Sequence, residues 1–337
     1  MEPTASRRRA GAAVTRRVRL LRPVATLAFA ALAIAPQAFA EDASAWLART
    51  AAAARDLNYV GTIVYQHGAQ VETSRLVHRN DGGTEMEKLV NLDGPAREVI
   101  RTGEEVRCFY PEAKIMRVEP RAFRNAFPSL SATEQKALTD NYDFRKAETG
   151  RVAGLDAQAW TFQPKDSFRF GRKFWVDTGT GLLLKARVSN ERGEVVEQFS
   201  FTDLTINARI SQQMVRPTWT GTSADWRMLK SPLAYIDRQD TGWVVGRVPP
   251  GFSKVIEGYR PLRERRDRVV HLVYSDGLVA VSVFIERIGP TTRRLLGPSQ
   301  QGGINVFVRP FEDRIVTVLG EVPGTTVRQM AMSIARR

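Results

Sequence analysis

Between residues 59 and 206 the sequence keeps a period of two, and that alternation limits the fold more than any other feature. Apolar and polar residues alternate in "NYVGTIVYQ", "VETSRLVHR", "EMEKLVNL", "AREVIR", "EVRCFY" and "KIMRVE", and again in "YDFRKAE", "AQAWTFQP", "RKFWVD", "LLLKARVS" and "EVVEQFSFTDLTI". The breaks carry turn residues, among them His67-Gly68, Asn80-Asp81-Gly82-Gly83, Asp93-Gly94 and Thr178-Gly179-Thr180-Gly181. Strand side chains point alternately to opposite faces, and Gly, Asn and Asp suit tight hairpins, so the stretch predicts a meander of about eleven antiparallel strands.

One helical stretch precedes this order and another interrupts it. Residues 42–57, "DASAWLARTAAAARDL", are Ala-rich with Trp46, Leu47, Ala51 and Ala54 on one side, and Asp42 suits the N-cap. The second spans residues 121–140, where Ser131-Ala132-Thr133-Glu134 has capping-box spacing. A long antiparallel sheet must curl or cover its edges. The predicted fold class is therefore α+β: a large antiparallel half-open β-barrel wrapped on helices, followed by a smaller α+β domain.

Alternation lapses over residues 209–240, with Pro217, Gly221 and Pro232, and this stretch reads as a linker or hinge. It resumes in "GWVVGRV", "FSKVIEGY", "VVHLVYS", "LVAVSVFIE", "INVFVRP" and "RIVTVLGEV", with a closing helix predicted over residues 325–335. The predicted domains are residues 41–208 and 241–337. Ahead of them, Arg7, Arg8, Arg9, Arg16, Arg17, Arg19 and Arg22 precede the apolar "VATLAFAALAI" and then Ala38-Phe39-Ala40. That order is a secretory signal peptide over residues 1–40, because a spanning helix needs roughly 20 apolar residues. The mature chain is therefore predicted to be exported.

Removing the signal takes seven of the 50 basic residues and one of the 36 acidic ones, so the net charge falls from +14 to +8. Residues 216–337 hold 19 basic and 11 acidic residues, which accounts for that whole excess. Within them, Arg263, Arg265, Arg266 and Arg268 cluster in "RPLRERRDR", and Arg293 and Arg294 in "GPTTRRLLGP". Two basic clusters read as loops that meet an anionic partner, with solvated loops as the alternative. Export argues against nucleic acid.

Catalytic chemistry finds little support. Cys108 is the only cysteine and lies in a strand pattern, so a disulfide within the chain is excluded and a buried thiol is expected. The three histidines, His67, His78 and His271, lack the spacing of a zinc helix, and no metal or cofactor is predicted. Nucleophile-elbow, phosphate-loop and dinucleotide motifs are also absent. Aromatic residues instead recur at even spacing: Tyr59 and Tyr65, Trp160 and Phe162, Phe168 and Phe170, Phe199 and Phe201. Each pair is expected on one face of the sheet, either as core under the helices or as the lining of an acyl-chain groove. In "YSDGLVAVSVFIE", Asp276-Gly277 predicts a type I′ hairpin turn and the strand after it is apolar on both faces.

The phrases "FGRKFWVDTGTGLLLKARVSNERGEVVEQFSFTDL", "VPPGF", "YSDGLVAVSVFIE" and "VTVLGEVP", in that order, resemble the RseB/MucB family of periplasmic envelope-stress regulators. The resemblance implies a LolA/LolB-like N-terminal domain and a C-terminal domain that binds the periplasmic part of an RseA/MucA-type anti-sigma factor. It further implies protection of that partner from site-one proteolysis, with release on binding lipopolysaccharide or lipoprotein acyl chains. A homodimer stays open, and a lipid or lipoprotein carrier of LolA/LolB type is the rival reading.

Overall fold

The computed structural model describes residues 37–103, 105–120, 138–219, 225–230, 238–262, 265–289 and 296–337. The predicted meander is present. Its first run is β1 (Tyr59–His67), β2 (Gln70–Asp81), β3 (Thr84–Asn91), β4 (Glu98–Thr102), β5 (Glu105–Tyr110) and β6 (Ile115–Pro120). Its second run is β7 (Tyr142–Val152), β8 (Leu155–Pro164), β9 (Gly171–Asp177), β10 (Leu183–Ser189) and β11 (Val195–Ile206). The two runs join through an antiparallel β1–β11 pair. Of the helix predicted over residues 121–140, only residues 138–140 are described, and these are helical.

The sheet is open. A twelfth strand, β12 (Arg227–Lys230), pairs in parallel with β6, so the order runs from β12 and β6 at one edge to β8 and β7 at the other. The sheet is therefore mixed, and its two edges do not pair into a closed barrel. Curvature is nevertheless strong, because Leu204 of β11 packs on the same cluster as Ala147 and Val152 of β7.

The N-terminal helix, Gln37–Asp56, covers the face that carries the aromatic side chains. It starts before Asp42, which lies within the helix instead of capping it. Trp46 stands among Phe144, Trp160, Phe162 and Phe174, with ring centroids 5.6, 5.8, 5.7 and 5.9 Å away. Burial of each large apolar side chain in such a cluster contributes on the order of 2 kcal/mol.

The expected linker is partly fastened to this sheet. Glu98, fully buried on β4, accepts hydrogen bonds from the Thr218 backbone N–H at 2.8 Å and hydroxyl at 2.6 Å, and pairs with Lys88 at 3.1 Å. Trp219 and Trp226 pack against Ile100, Phe109 and Met116. A buried carboxylate needs such partners, and those partners hold the connecting chain across β3–β6.

The second sheet contains β14 (Ser253–Leu262), β15 (Arg265–Ser275), β16 (Ala280–Arg287), β17 (Gly297–Gln301), β18 (Ile304–Phe311) and β19 (Arg314–Gly320), ordered β14-β15-β16-β19-β18-β17. A separate ribbon pairs β13 (Trp243–Val245) with β20 (Ile334–Arg336). The C-terminal helix, Gly324–Met332, buries Val327, Met330 and Ala331 against the sheet. It stops short of the predicted Ala335 because Ser333 bonds back to Met330 and β20 then joins the ribbon. On β16, Val281, Val283 and Ile285 are wholly buried; on the other face Ala280 is exposed and Phe284 stacks on His271 at 4.4 Å. One face of this strand is core and the other is only partly covered, a narrower outcome than two buried faces. Among the described residues no helix is long and apolar enough to cross a membrane.

Candidate functional site

The two sheets interlock at the turn after β15. Asp276 divides its oxygens between two tasks. Oδ1 accepts the backbone N–H groups of Leu278 and Val279 at 3.0 and 2.9 Å, which shapes the turn. Oδ2 accepts the Tyr142 hydroxyl and an Arg169 guanidinium N–H, both at 2.8 Å, from the first sheet's side. The turn differs from the predicted type I′. Asp276 N–H donates to the Val279 carbonyl, so Gly277 and Leu278 are the central residues, and Gly277 takes φ 96° while Asp276 stays outside the left-handed region.

Arg169 is enclosed. Its guanidinium also bonds Asp166 and the Pro250 carbonyl, and lies 5.3 Å from the Tyr142 ring centroid and 4.9 Å from that of Phe252. Burial, then the Asp276 charge, pushes the Tyr142 hydroxyl well above its ordinary pKa, so it serves as a neutral donor. Leu278, at the tip of the turn, packs into the aromatic cluster of Trp46, Phe162 and Phe174.

A second contact lies along one row of the first sheet. Arg172 on β9, Val188 on β10, Glu197 on β11 and His67 on β1 are register partners in sequence across the strands, so their side chains share a face. Arg172 forms an ion pair with Glu321, which follows β19 in the second sheet. Burial first, and then the neighbouring Glu321 carboxyl, pushes Glu197 up to about 8. Burial acts first to raise Glu321, but Arg172, Glu197 and His67 together outweigh it and hold that carboxyl below its usual range.

Two glycines permit this close docking. A Cβ on Gly302 would lie 2.0 Å from His67 Nε2, and one on Gly251 would lie 2.1 Å from Asn141 Nδ2. Both also have positive φ, at 56° and 78°, where other residues are strained. Thr326 of the C-terminal helix adds a hydrogen bond from its hydroxyl to the Phe168 carbonyl at 3.0 Å.

The residues expected from aromatic spacing divide among several places. Trp160 and Phe162 surround Trp46; Tyr59 and Phe201 pack beneath Ala53; Phe199 reaches both groups. Tyr65 is the register partner of Phe199, and its ring lies 6.1 Å from that of His67. Phe168 and Phe170 sit in the bend between β8 and β9 and not on a strand, because Asp166 Oδ1 takes the Phe168 N–H and turns the chain. Phe170 packs with Val188 and Val196.

Of the basic cluster residues, Arg263, Arg293 and Arg294 lie outside the described residues. Arg265, Arg266 and Arg268 belong to β15 and not to a loop, and exposed Arg268 lies 5.6 Å from the Tyr259 ring. A cationic group that spacing did not single out surrounds Trp175: Lys173, Lys185 and Arg187 approach its ring to 5.1, 5.0 and 5.4 Å. Cys108 is half-buried, less enclosed than expected. Tyr142, Arg169, Arg172, Glu197 and Glu321 were not recognisable as a site; the only local signal was Asp276 in its turn.

Among the described residues no group of side chains could hold a metal ion. An aromatic interior and a polar junction between two docked modules define a two-module β-sheet protein. Residues 42–219 match the family model described as MucB/RseB N-terminal domain, and residues 237–335 match that described as MucB/RseB C-terminal domain. The chain belongs to the MucB/RseB family, whose members are periplasmic regulators of the sigma-E/AlgU stress response. It is 31% identical to the Sigma factor AlgU regulatory protein MucB of Pseudomonas aeruginosa over 316 residues, 91% of this chain and 95% of that one. It is 26% identical to the Sigma-E factor regulatory protein RseB of Escherichia coli K12 over 283 residues, 84% of this chain and 87% of that one. A crystal structure of MucB in complex with MucA(peri) is similar at TM-score 0.68 and 30% identity, covering 88% of this chain and 99% of that chain. A crystal structure of MucB alone gives TM-score 0.60 and 28% identity, covering 88% and 98%. The chain is periplasmic and non-enzymatic, as this membership requires.

Proposed function

We propose that this chain binds the periplasmic part of an RseA/MucA-type anti-sigma factor, shields it from site-one proteolysis, and releases it on binding lipopolysaccharide or lipoprotein acyl chains. Anti-sigma binding is supported by the likeness to MucB in its complex with MucA(peri), which extends over both modules. The release step rests on one observation: Leu278 of the second module, partly buried, packs against the aromatic cluster of the first. An acyl chain entering that cluster competes with Leu278 and with Trp46. Its differential affinity for the arrangement with Leu278 withdrawn would then shift the relation between the modules. The cations around Trp175 and the arginines at the start of β15 suit the anionic groups of such a lipid or of an acidic partner segment.

The experiment is a titration. Purified protein bound to an anti-sigma periplasmic fragment is titrated with lipopolysaccharide, and affinity for the fragment is expected to fall; unchanged affinity at saturating lipid would overturn the release step. The carrier reading is favoured by the aromatic interior alone. It predicts stoichiometric acyl binding with no anti-sigma fragment recovered in a pull-down from envelope extract.

A further inference from the structure

The C-terminal helix has two unlike sides. Thr326, Val327, Met330 and Ala331 are buried, the last three in the core of the second module. The other side presents Thr325, Arg328, Gln329 and Met332, whose i, i+3, i+4 and i+7 spacing makes one continuous stripe. Met332 is 56% exposed, unusual for a large apolar side chain at the end of a packed helix. The chain leaving β13 forms a second wall beside this stripe. Gly246 donates its backbone N–H to the Ser333 carbonyl at 2.9 Å, and Arg247 donates its own to the Ser333 hydroxyl at 3.0 Å. Between the two walls lies an open groove of about 710 Å³.

The groove is cationic. Arg328 stands on the helix wall and Arg247 on the other, and neither guanidinium makes a hydrogen bond or ion pair among the described residues. Arg309 of β18 approaches the Met332 end, with Nη1 3.7 Å from Sδ and a buried Nε that has no hydrogen-bond partner. Among the described residues no carboxylate lines the groove. Other cations of this module are matched: Lys254 pairs with Glu257, and Arg337 lies 3.6 Å from Asp240 and 3.8 Å from Glu257. A guanidinium fork suits a carboxylate, and a flexible thioether adapts to an apolar side chain.

We propose that this groove seats an acidic peptide segment with an apolar side chain, its carboxylates on Arg247 and Arg328 and its apolar group on Met332. The inference rests on the proposed function, in which the anti-sigma partner supplies the segment. The shape favours a peptide over a membrane surface, because the groove is concave and follows the helix from Thr325 to Ser333. At 1.5 Å per helical residue that path is about 12 Å, room for roughly three or four extended residues. The charge is complementary, since residues 216–337 hold 19 basic and 11 acidic residues.

The test titrates the purified chain with an anti-sigma periplasmic fragment in a calorimeter. Arg247→Gln combined with Arg328→Gln changes two exposed, unpaired side chains, so the fold should hold. Affinity should fall about tenfold, because each exposed ion pair contributes up to about fivefold, and its dependence on salt should flatten. Met332→Ser should weaken binding severalfold and leave the salt dependence unchanged. Arg209→Gln combined with Arg287→Gln removes the same charge from exposed sites elsewhere and should bind as wild type. Equal losses in the two arginine pairs, no loss in the groove pair, or an unaffected Met332→Ser overturns the inference alone. Sedimentation with phosphatidylglycerol vesicles that is lost in the groove pair, while fragment affinity holds, assigns the arginines to a lipid surface and also overturns it. A wild-type chain that does not bind the fragment overturns the proposed function, and this inference with it.

Discussion

Asp276 and Arg169 lie 107 positions apart in sequence and form an ion pair at 2.8 Å with both side chains wholly excluded from water. One belongs to the turn of the second sheet and the other to the bend before β9, so the contact is a covalent-free rivet between modules. Removing one partner strands the other. Asp276→Ala is expected to lower unfolding free energy by about 3–5 kcal/mol, as for other broken buried pairs. Asp203→Ala, which breaks an exposed pair with Arg75, should cost no more than about 1 kcal/mol. Urea unfolding of the two variants checks the contrast; equal losses would contradict it.

Trp46 anchors the N-terminal helix through contacts with four rings. Trp46→Ala should cost about 3–5 kcal/mol, the usual range for removal of a large buried aromatic. Thermal unfolding monitored by circular dichroism measures it.

Leu278→Ala removes the second module's side chain from that same cluster while leaving the Asp276 hydrogen bonds, which use backbone N–H groups. Affinity for a fluorescent fatty-acid probe is expected to rise severalfold, with the secondary structure unchanged. Unchanged or weaker binding by equilibrium fluorescence would separate Leu278 from the acyl site.

His271 should govern part of the acid limb of stability. Burial and then the neighbouring Arg260 drive its pKa down from 6.5 to about 3, and Arg260 Nε donates to its Nδ1 at 2.8 Å. A pKa depressed in the folded state means that the unfolded chain binds the proton first. Stability is therefore fully present above about pH 6.5 and is lost as pH falls toward about 3. The stability advantage of wild type over His271→Gln should shrink between pH 7 and pH 4.5 in urea titrations. A gap that stays constant would assign the acid limb to other groups.

The basic residues make a binding prediction. Neutralising Arg263, Arg265, Arg266, Arg268, Arg293 and Arg294 should weaken capture of an anti-sigma periplasmic fragment and flatten its dependence on salt. Affinities measured from low to high ionic strength decide it, since solvated side chains would leave both quantities unchanged.

Periodicity carried the eleven strands of the meander because apolar and polar residues alternate along them, a relation written residue by residue. It could not carry β12, whose four residues are held by pairing with β6 and by Trp219 and Trp226 nearby. Nor could it carry β17, "GPSQQ", where turn-type residues form an edge strand because β18 supplies the hydrogen bonds. The site was less legible. Asp276 showed its local turn, whereas the task of its other oxygen depends on Arg169 and Tyr142, and Arg172 meets Glu321 from 149 positions away. Even spacing placed Phe199 and Phe201 on one face, but failed at Phe168 and Phe170 because the Asp166 side chain takes the Phe168 backbone N–H and bends the chain there.

The β1–β11 pair also sets a schedule for folding. Tyr59 must find Ile206, and until β11 has emerged β1 offers an unpaired edge. Contacts between such distant segments form slowly, because the intervening chain must be ordered first. During export the first run of strands therefore reaches the periplasm as a sticky half-sheet, and the interval before β11 arrives is when the chain is most vulnerable to aggregation and most in need of a chaperone.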